Sequence, residues 1–356
     1  MSAWWPELAP TVAPSRVPKP GVPTVDAHTH LSVQPAATLA KPYFLPEYEP
    51  RSLFSSPETT RYNAEYRASA HNTAQFEDAE QRLADMDLQG VDMQILAVPP
   101  TEYFYWLPED EARRTNRIQH ERFAEVVATW PDRFAAVANV PMEYPALAVE
   151  TLREAHRDFG FRGVEISADV LGKDLDDRRF DPVWEAAVEL GMTVILHPQG
   201  FTHGQRFSDY YLVNVMCMPL ASTLAVTRMI LGGVWNRHPD LRLLVVHGGG
   251  YLPFYSARTD HAWAVRPELR HHLEVPPSEV LKRIYVDTNV FDPRMVEHLV
   301  STLGADHVLM GTDYPFDMGT VDPVGFLDGA QLDPADRDRI LGGNALRLFG
   351  IDLARR

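Results

Sequence analysis

Short apolar, β-branched runs alternate along the chain with longer amphipathic stretches, and this rhythm predicts its elements. Eight segments read as buried strands: 24–30 (TVDAHTH), 91–98 (VDMQILAV), 134–140 (FAAVANV), 163–167 (GVEIS), 192–197 (MTVILH), 241–247 (LRLLVVH), 284–288 (IYVDT) and 307–313 (HVLMGTD). Most are near-continuously apolar, as parallel strands covered on both faces are. Helical patterns fall between them at about 77–89, 110–130, 182–190, 218–236, 253–265, 293–303 and 334–349. An eighth places Ala148, Leu152 and Ala155 on one face behind Pro145, which suits a first helical turn. The simplest closed solution to this alternation is an α/β fold, the (β/α)8 TIM barrel, whose chemistry gathers at the C-terminal ends of its strands. A doubly wound sheet competes less well, since no GxGxxG follows any strand and no Walker A sequence occurs.

The rhythm breaks at 31–75, where Pro, Tyr, Phe and Ser with little periodicity predict a long loop serving as a lid or binding surface. Residues 6–23 hold six prolines, which predict an extended arm. The expected organisation is an arm over 1–23 and a single barrel domain over 24–356, with 31–75 as its insertion.

Composition narrows the function more than the fold. The 356 residues are 45% hydrophobic and 23% charged, enough apolar material for one large core. With 33 Lys+Arg against 49 Asp+Glu the formal charge is -16, and no basic run stands out, which argues against nucleic acid or an anionic membrane as partner. Met1-Ser2-Ala3-Trp4-Trp5 has no basic leader region, and no stretch approaches eighteen uninterrupted apolar residues, so a cytoplasmic protein is expected. Cys217 is the only cysteine. An intrachain disulfide and a thiolate metal cluster are thereby excluded, and any metal site must use histidine and carboxylate.

Those residue types stand at strand ends. His28 and His30 are two apart on a strand, roughly 6.6 Å along the chain, so both imidazoles can turn to one point. His197, His247 and Asp313 each terminate another apolar strand. Unpaired, such buried polar groups would cost several kcal/mol, whereas convergence on a divalent ion satisfies them together. Imidazole and carboxylate without thiolate suit Zn most, with Mn, Fe or Co as alternatives.

The blocks VDAHTH, LHP, HGGGYLPFYSARTDHAWAVRPE, GTDYPF and GNALRLFG resemble the amidohydrolase superfamily. Within it they are similar to the branch typified by 2-amino-3-carboxymuconate-6-semialdehyde decarboxylase, from about residue 24 to the C-terminus. That resemblance implies one Zn held by His28, His30, His197 and Asp313, with His247 as the acid/base group beside it. It implies a metal-dependent, non-oxidative decarboxylase of an unsaturated or aromatic carboxylic acid, with no organic cofactor. It also implies a homodimer in which Arg258 binds the substrate carboxylate in the neighbouring subunit's pocket. A hydrolase or lactonase, or a hydratase of a conjugated acid, would use the same ligands.

The sequence adds its own qualifications. The fourth strand ends Ile166-Ser167, which offers no lysine to bridge a second ion; Glu165 reads as a supporting group. The resembled enzyme's arginine before its first helix is replaced by His71-Asn72-Thr73-Ala74-Gln75-Phe76, with Arg67 nearby but out of register. Its HPW becomes His197-Pro198-Gln199, which removes an aromatic wall. Asp287 is expected to orient His247, and His203 and His261 are candidates to line the pocket. His120 and His238 are expected to be solvated, and Cys217 to lie in the core.

Overall fold

The computed structural model describes residues 21–49, 53–200 and 204–353. Its barrel strands are β1 (Val25–His30), β2 (Met93–Ala97), β3 (Phe134–Ala136), β4 (Ala138–Asn139), β5 (Gly163–Ile166), β6 (Thr193–Leu196), β7 (Arg242–Val245), β8 (Tyr285–Asp287) and β9 (Val308–Leu309). Neighbours pair in parallel, β1 with β2, β2 with β3, and β4 onward in sequence to β9. β3 and β4 are halves of one stave, bridged where Val137 N donates to Leu96 O at 3.0 Å. The last stave returns to the first through Ala27 N to Met310 O at 2.9 Å, Asp313 N to His28 O at 2.9 Å and His30 N to Tyr314 O at 2.8 Å. Eight staves therefore close into a (β/α)8 barrel.

Alternation along the strands sorts their side chains. Val25, Met93, Ile95, Val137, Ile195, Leu244 and Leu309 fill the barrel, and Ala345, Leu348 and Phe349 join that cluster from the C-terminal region. The opposite parity, including Leu96, Val164, Leu196, Val245 and Val286, packs outward against helices through Phe123, Trp184 and Leu299. Each fully buried side chain of this kind contributes about 1.5–3 kcal/mol of transfer free energy.

One irregularity decides the chemistry. Val25 pairs with Met93 and Asp26 with Gln94, but Thr29 pairs with Leu96 and His30 with Ala97, so β1 carries one extra residue between Asp26 and Thr29. Without that bulge residues 25, 27 and 29 would share the inner face. With it, parity flips and His30 lies beside inward Ala97.

The helices α1 (Gln34–Ala40), α2 (Pro57–Ala68), α3 (Ala70–Glu77), α4 (Ala79–Gln89), α5 (Glu109–Thr129), α6 (Pro145–Phe159), α7 (Asp181–Glu189), α8 (Cys217–Leu231), α9 (Leu252–Val265) and α10 (Pro293–Leu303) follow the expected pattern after residue 77. The expected 218–236 helix ends early, because Gly233 takes φ 72° and a separate turn, Val234–Arg237, follows. Between 31 and 75 the expected loop is largely helical. α2 is polar around its circumference, which hides it from periodicity; its start is set by Ser56, whose side chain accepts from Thr59 N, with Pro57 at the first position. Ser69 caps α3 in the same way, accepting from Asn72 N.

Two histidines expected at the surface are interior. His120 is buried, with Nε2 bonded to Asn139 O at 2.9 Å. His238 is buried, with Nε2 3.0 Å from Asp181 Oδ1. In both cases a partner distant in sequence rewards burial, which local pattern does not reveal.

Candidate metal centre

Five polar side chains converge at the C-terminal mouth of the barrel: His28 and His30 from β1, His197 after β6, His247 after β7 and Asp313 after β9. Ring centroids of His28 lie 5.1 Å from His30, 5.0 Å from His197 and 5.2 Å from His247. Asp313 Oδ1 stands 3.4 Å from His28 Nε2, 3.2 Å from His30 Nε2 and 3.9 Å from His197 Nε2, while Oδ2 stands 3.7 Å from His247 Nε2. Ligand atoms of His28, His197, His247 and Asp313 all fall within 4.8 Å of one another. His30 joins the group through its contact with Asp313.

The second ring nitrogens separate these histidines into two kinds. His28 Nδ1 lies 2.7 Å from Asp287 Oδ2, His30 Nδ1 lies 3.0 Å from Val98 O, and His197 Nδ1 lies 2.9 Å from Pro198 O. An acceptor at Nδ1 fixes the tautomer that leaves an Nε2 lone pair for a cation. His247 lacks this anchor: its Nδ1 is buried without a hydrogen-bond partner. Its side chain is also the most open of the five, at 15% exposure.

Backbone strain holds two of these groups in place. His247 sits at φ 55° and Asp313 at φ 64°, a left-handed region that costs non-glycine residues about 1–3 kcal/mol and collects at functional sites. Glycine is required alongside. A Cβ on Gly311 would come within 2.8 Å of Asp287 Cβ and 3.0 Å of His28 Cβ.

Asp287 corrects the expectation set for it. Its Oδ2 holds His28, and its Oδ1 accepts from Gly248 N at 2.7 Å, so it orients a β1 histidine and the turn after His247. The bulge that turns β1 inward brings His28 to it. Asp26 braces the last stave from behind, accepting from Thr312 N at 3.0 Å and Thr312 Oγ1 at 2.6 Å.

Electrostatics follow from burial and pairing. Burial opposes charge on His28, yet Asp313 and Asp287 outweigh it and hold that imidazole well above its usual range. Burial dominates at His197, pushing it well below. Burial also opposes charge on Asp313, but His28 and the surrounding histidines keep its carboxyl well below the usual range. On the inner face of β5, burial pushes Glu165 up to about 8, while Tyr103 donates to its Oε1 at 3.0 Å. Glu165 is thus a supporting group, and sequence alone could not have supplied Tyr103 as its partner.

Above the mouth, Phe316 packs edge-on against His30 at 5.2 Å and meets Phe76 at the same separation. Arg67 stacks over Phe76 at 3.7 Å and donates to Ser32 Oγ at 3.3 Å, so the α2–α3 insertion closes one side of the site. Arg258 and His261 lie exposed on α9, away from the histidine cluster's hydrogen bonds. His203 lies outside the described residues. Cys217 is buried at the start of α8.

Comparison with known proteins places this geometry. The amidohydrolase family model matches residues 25–351. A 2-amino-3-carboxymuconate-6-semialdehyde decarboxylase of Dictyostelium discoideum is 32% identical over 277 residues, covering 77% of each chain. A gamma-resorcylate decarboxylase of Rhizobium sp. is 26% identical, covering 84% of this chain and 96% of its own. The structure of 5-carboxyvanillate decarboxylase from Novosphingobium aromaticivorans, complexed with manganese and 4-hydroxy-3-methoxy-5-nitrobenzoic acid, matches with TM-score 0.80 at 22% identity, covering 93% and 97%.

Proposed function

The chain belongs to the amidohydrolase family, and from that premise we propose that it is a metal-dependent, non-oxidative decarboxylase of an unsaturated or aromatic carboxylic acid. The observation that carries this reading is the division among the histidines. His28, His30 and His197 have Nδ1 anchored and Nε2 directed toward Asp313, and the Nε2 atoms of His28 and His197 are buried without hydrogen-bond partners. Such a donor set fits one divalent ion, held by His28, His30, His197 and Asp313. We favour Zn on donor type; the manganese of the carboxyvanillate enzyme makes Mn the first alternative.

When bound, the ion supplies a positive centre that polarises a substrate oxygen and draws electron density away from the carbon losing its carboxylate. The protein's own groups do the rest. As the C–C bond to the carboxylate breaks, its electron pair stays on the substrate carbon and carbon dioxide leaves. His247, unanchored at Nδ1 and open to the cavity, delivers a proton to that carbon. Phe316 and Phe76 give the site an apolar wall that keeps water from competing. Burial pushes the Glu165 carboxyl up to about 8, which favours its neutral form and limits negative charge beside an anionic substrate.

We also propose a homodimer in which Arg258 reaches the partner's pocket. Its support is that Phe254 and Tyr255, the latter 66% exposed, share α9 with Arg258, and Leu224 on neighbouring α8 is exposed as well. The decisive test of activity is a panel of hydroxybenzoates and muconate-like acids with carbon dioxide detection, run before chelation, after it and with metal restored. Metal-dependent release of carbon dioxide is expected; consumption of an acid without carbon dioxide favours hydrolysis or hydration.

A further inference from the structure

Behind the histidine cluster, α4 buries an arginine completely. Arg82 is 0% exposed, and burial lowers its guanidinium only to about 10, so it is charged at neutral pH. A fully buried cation ordinarily faces a carboxylate. Among the described residues, Arg82 donates to none. Its Nε donates to Gln94 Oε1 at 3.1 Å, and its Nη1 donates to His30 O at 2.6 Å and to Gln75 O at 3.2 Å. Its Cζ lies 4.7 Å from the centroid of the Tyr314 ring.

The end of the sheet explains why His30 takes its partner from a helix. His30 N donates to Tyr314 O at 2.8 Å, and in a continued parallel ladder Phe316 N would donate to His30 O in turn. That amide turns back to Asp313 O at 2.9 Å instead. The carbonyl of a candidate ligand is thereby left outside the ladder, and Arg82 supplies the bond that a buried carbonyl requires.

Asp85, three residues further on the same face of α4, acts on the last stave. Its Oδ2 accepts from Tyr314 Oη at 2.6 Å and from Gln75 Nε2 at 2.7 Å. One helix face therefore grips His30 itself and the residue that follows Asp313. These are the two staves whose His30 Nε2 and Asp313 Oδ1 stand 3.2 Å apart. A guanidinium suits the task because its fork reaches Gln94, His30 and Gln75 at once, which the point charge of a lysine does not.

We propose that Arg82 and Asp85 are positioning residues: through the His30 carbonyl and the Tyr314 hydroxyl they set the spacing of His30 and Asp313, and with it the affinity of the site for its divalent ion. This rests on the metal-site reading and extends it to two side chains that belong to α4 rather than to the barrel mouth.

The test measures the affinity of metal-free protein for Zn and for Mn by competition with a chromophoric chelator, beside its urea midpoint without metal. Arg82→Met keeps the length and removes every donor; Tyr314→Phe keeps the ring and removes the hydroxyl that Asp85 holds. Each is expected to weaken metal binding about ten- to a hundredfold, the scale on which groups behind the ligands act. Arg82→Lys, which keeps the charge and one point of donation, is expected to fall between wild type and Arg82→Met. A merely structural role would move the urea midpoint alone, so unchanged affinity in either Arg82→Met or Tyr314→Phe overturns the proposal. Should Arg82→Met fail to fold, Tyr314→Phe decides by itself. Wild type that binds neither ion contradicts the metal-site reading, and the proposal falls with it; wild type that binds them no more tightly than the variants overturns the proposal alone.

Discussion

A single histidine shows what the residue scale decides. His247 stands as close to Asp313 as His28, His30 and His197 do, but its Nδ1 has no hydrogen-bond partner, which supports the acid/base role proposed for it. His247→Ala is expected to retain the metal and lose activity by about two to four orders of magnitude, the scale of a positioned acid/base. Purification of that variant without metal would move His247 into the ligand set. Asp313→Ala is expected to lower metal content and Tm together, because an ion bound only by the folded chain adds its binding free energy to stability; metal analysis beside calorimetry checks it. His28, His30, His197, His247 and Asp313 were legible because each interrupts an apolar strand at its end. The partner of Asp287 was not: the extra residue in β1 that brings His28 to it has no signature in the pattern of apolar positions.

Among the elements, α5 carries a polar face that is interior. Gln119 donates to Glu102 O at 3.0 Å, and His120 bonds Asn139 O at 2.9 Å, so the helix is fastened through hydrogen bonds to the Pro100–Glu102 turn that follows β2 and to β4. Burial lowers His120 from 6.5 to about 4. The unfolded chain therefore takes up a proton first as pH falls, and stability is lost between about 6.5 and 4, by about 3 kcal/mol at most. Compared by urea denaturation, wild type is expected to exceed His120→Gln most at pH 7, with the difference shrinking toward pH 4. A constant difference would mean that His120 does not titrate between the folded and unfolded states. Most strand positions were readable within a residue or two because each is a short apolar run; the last, expected over 307–313, pairs only over Val308–Leu309. α2 was not, since a polar helix whose start is set by Ser56 and Pro57 has the composition of a loop.

At the scale of the whole molecule, closure of the eight staves brings side chains nearly three hundred residues apart into one site, as His28 and Asp313 show. Alternation of strand and helix made that closure readable from sequence; which faces remain exposed was not readable. The exposed residues of α9 motivate the dimer, and mixing inactive Arg258→Ala with inactive His247→Ala protein is expected to restore part of the activity through hybrid sites. No recovery despite demonstrated subunit exchange would contradict it. The central claim is that carbon–carbon cleavage is followed by protonation of the carbon left behind. Turnover of a responsive acid in deuterium oxide tests it most directly. The account predicts one deuterium on the carbon that carried the carboxylate, with carbon dioxide formed in equal amount; entry of labelled water oxygen into the product without carbon dioxide would contradict it.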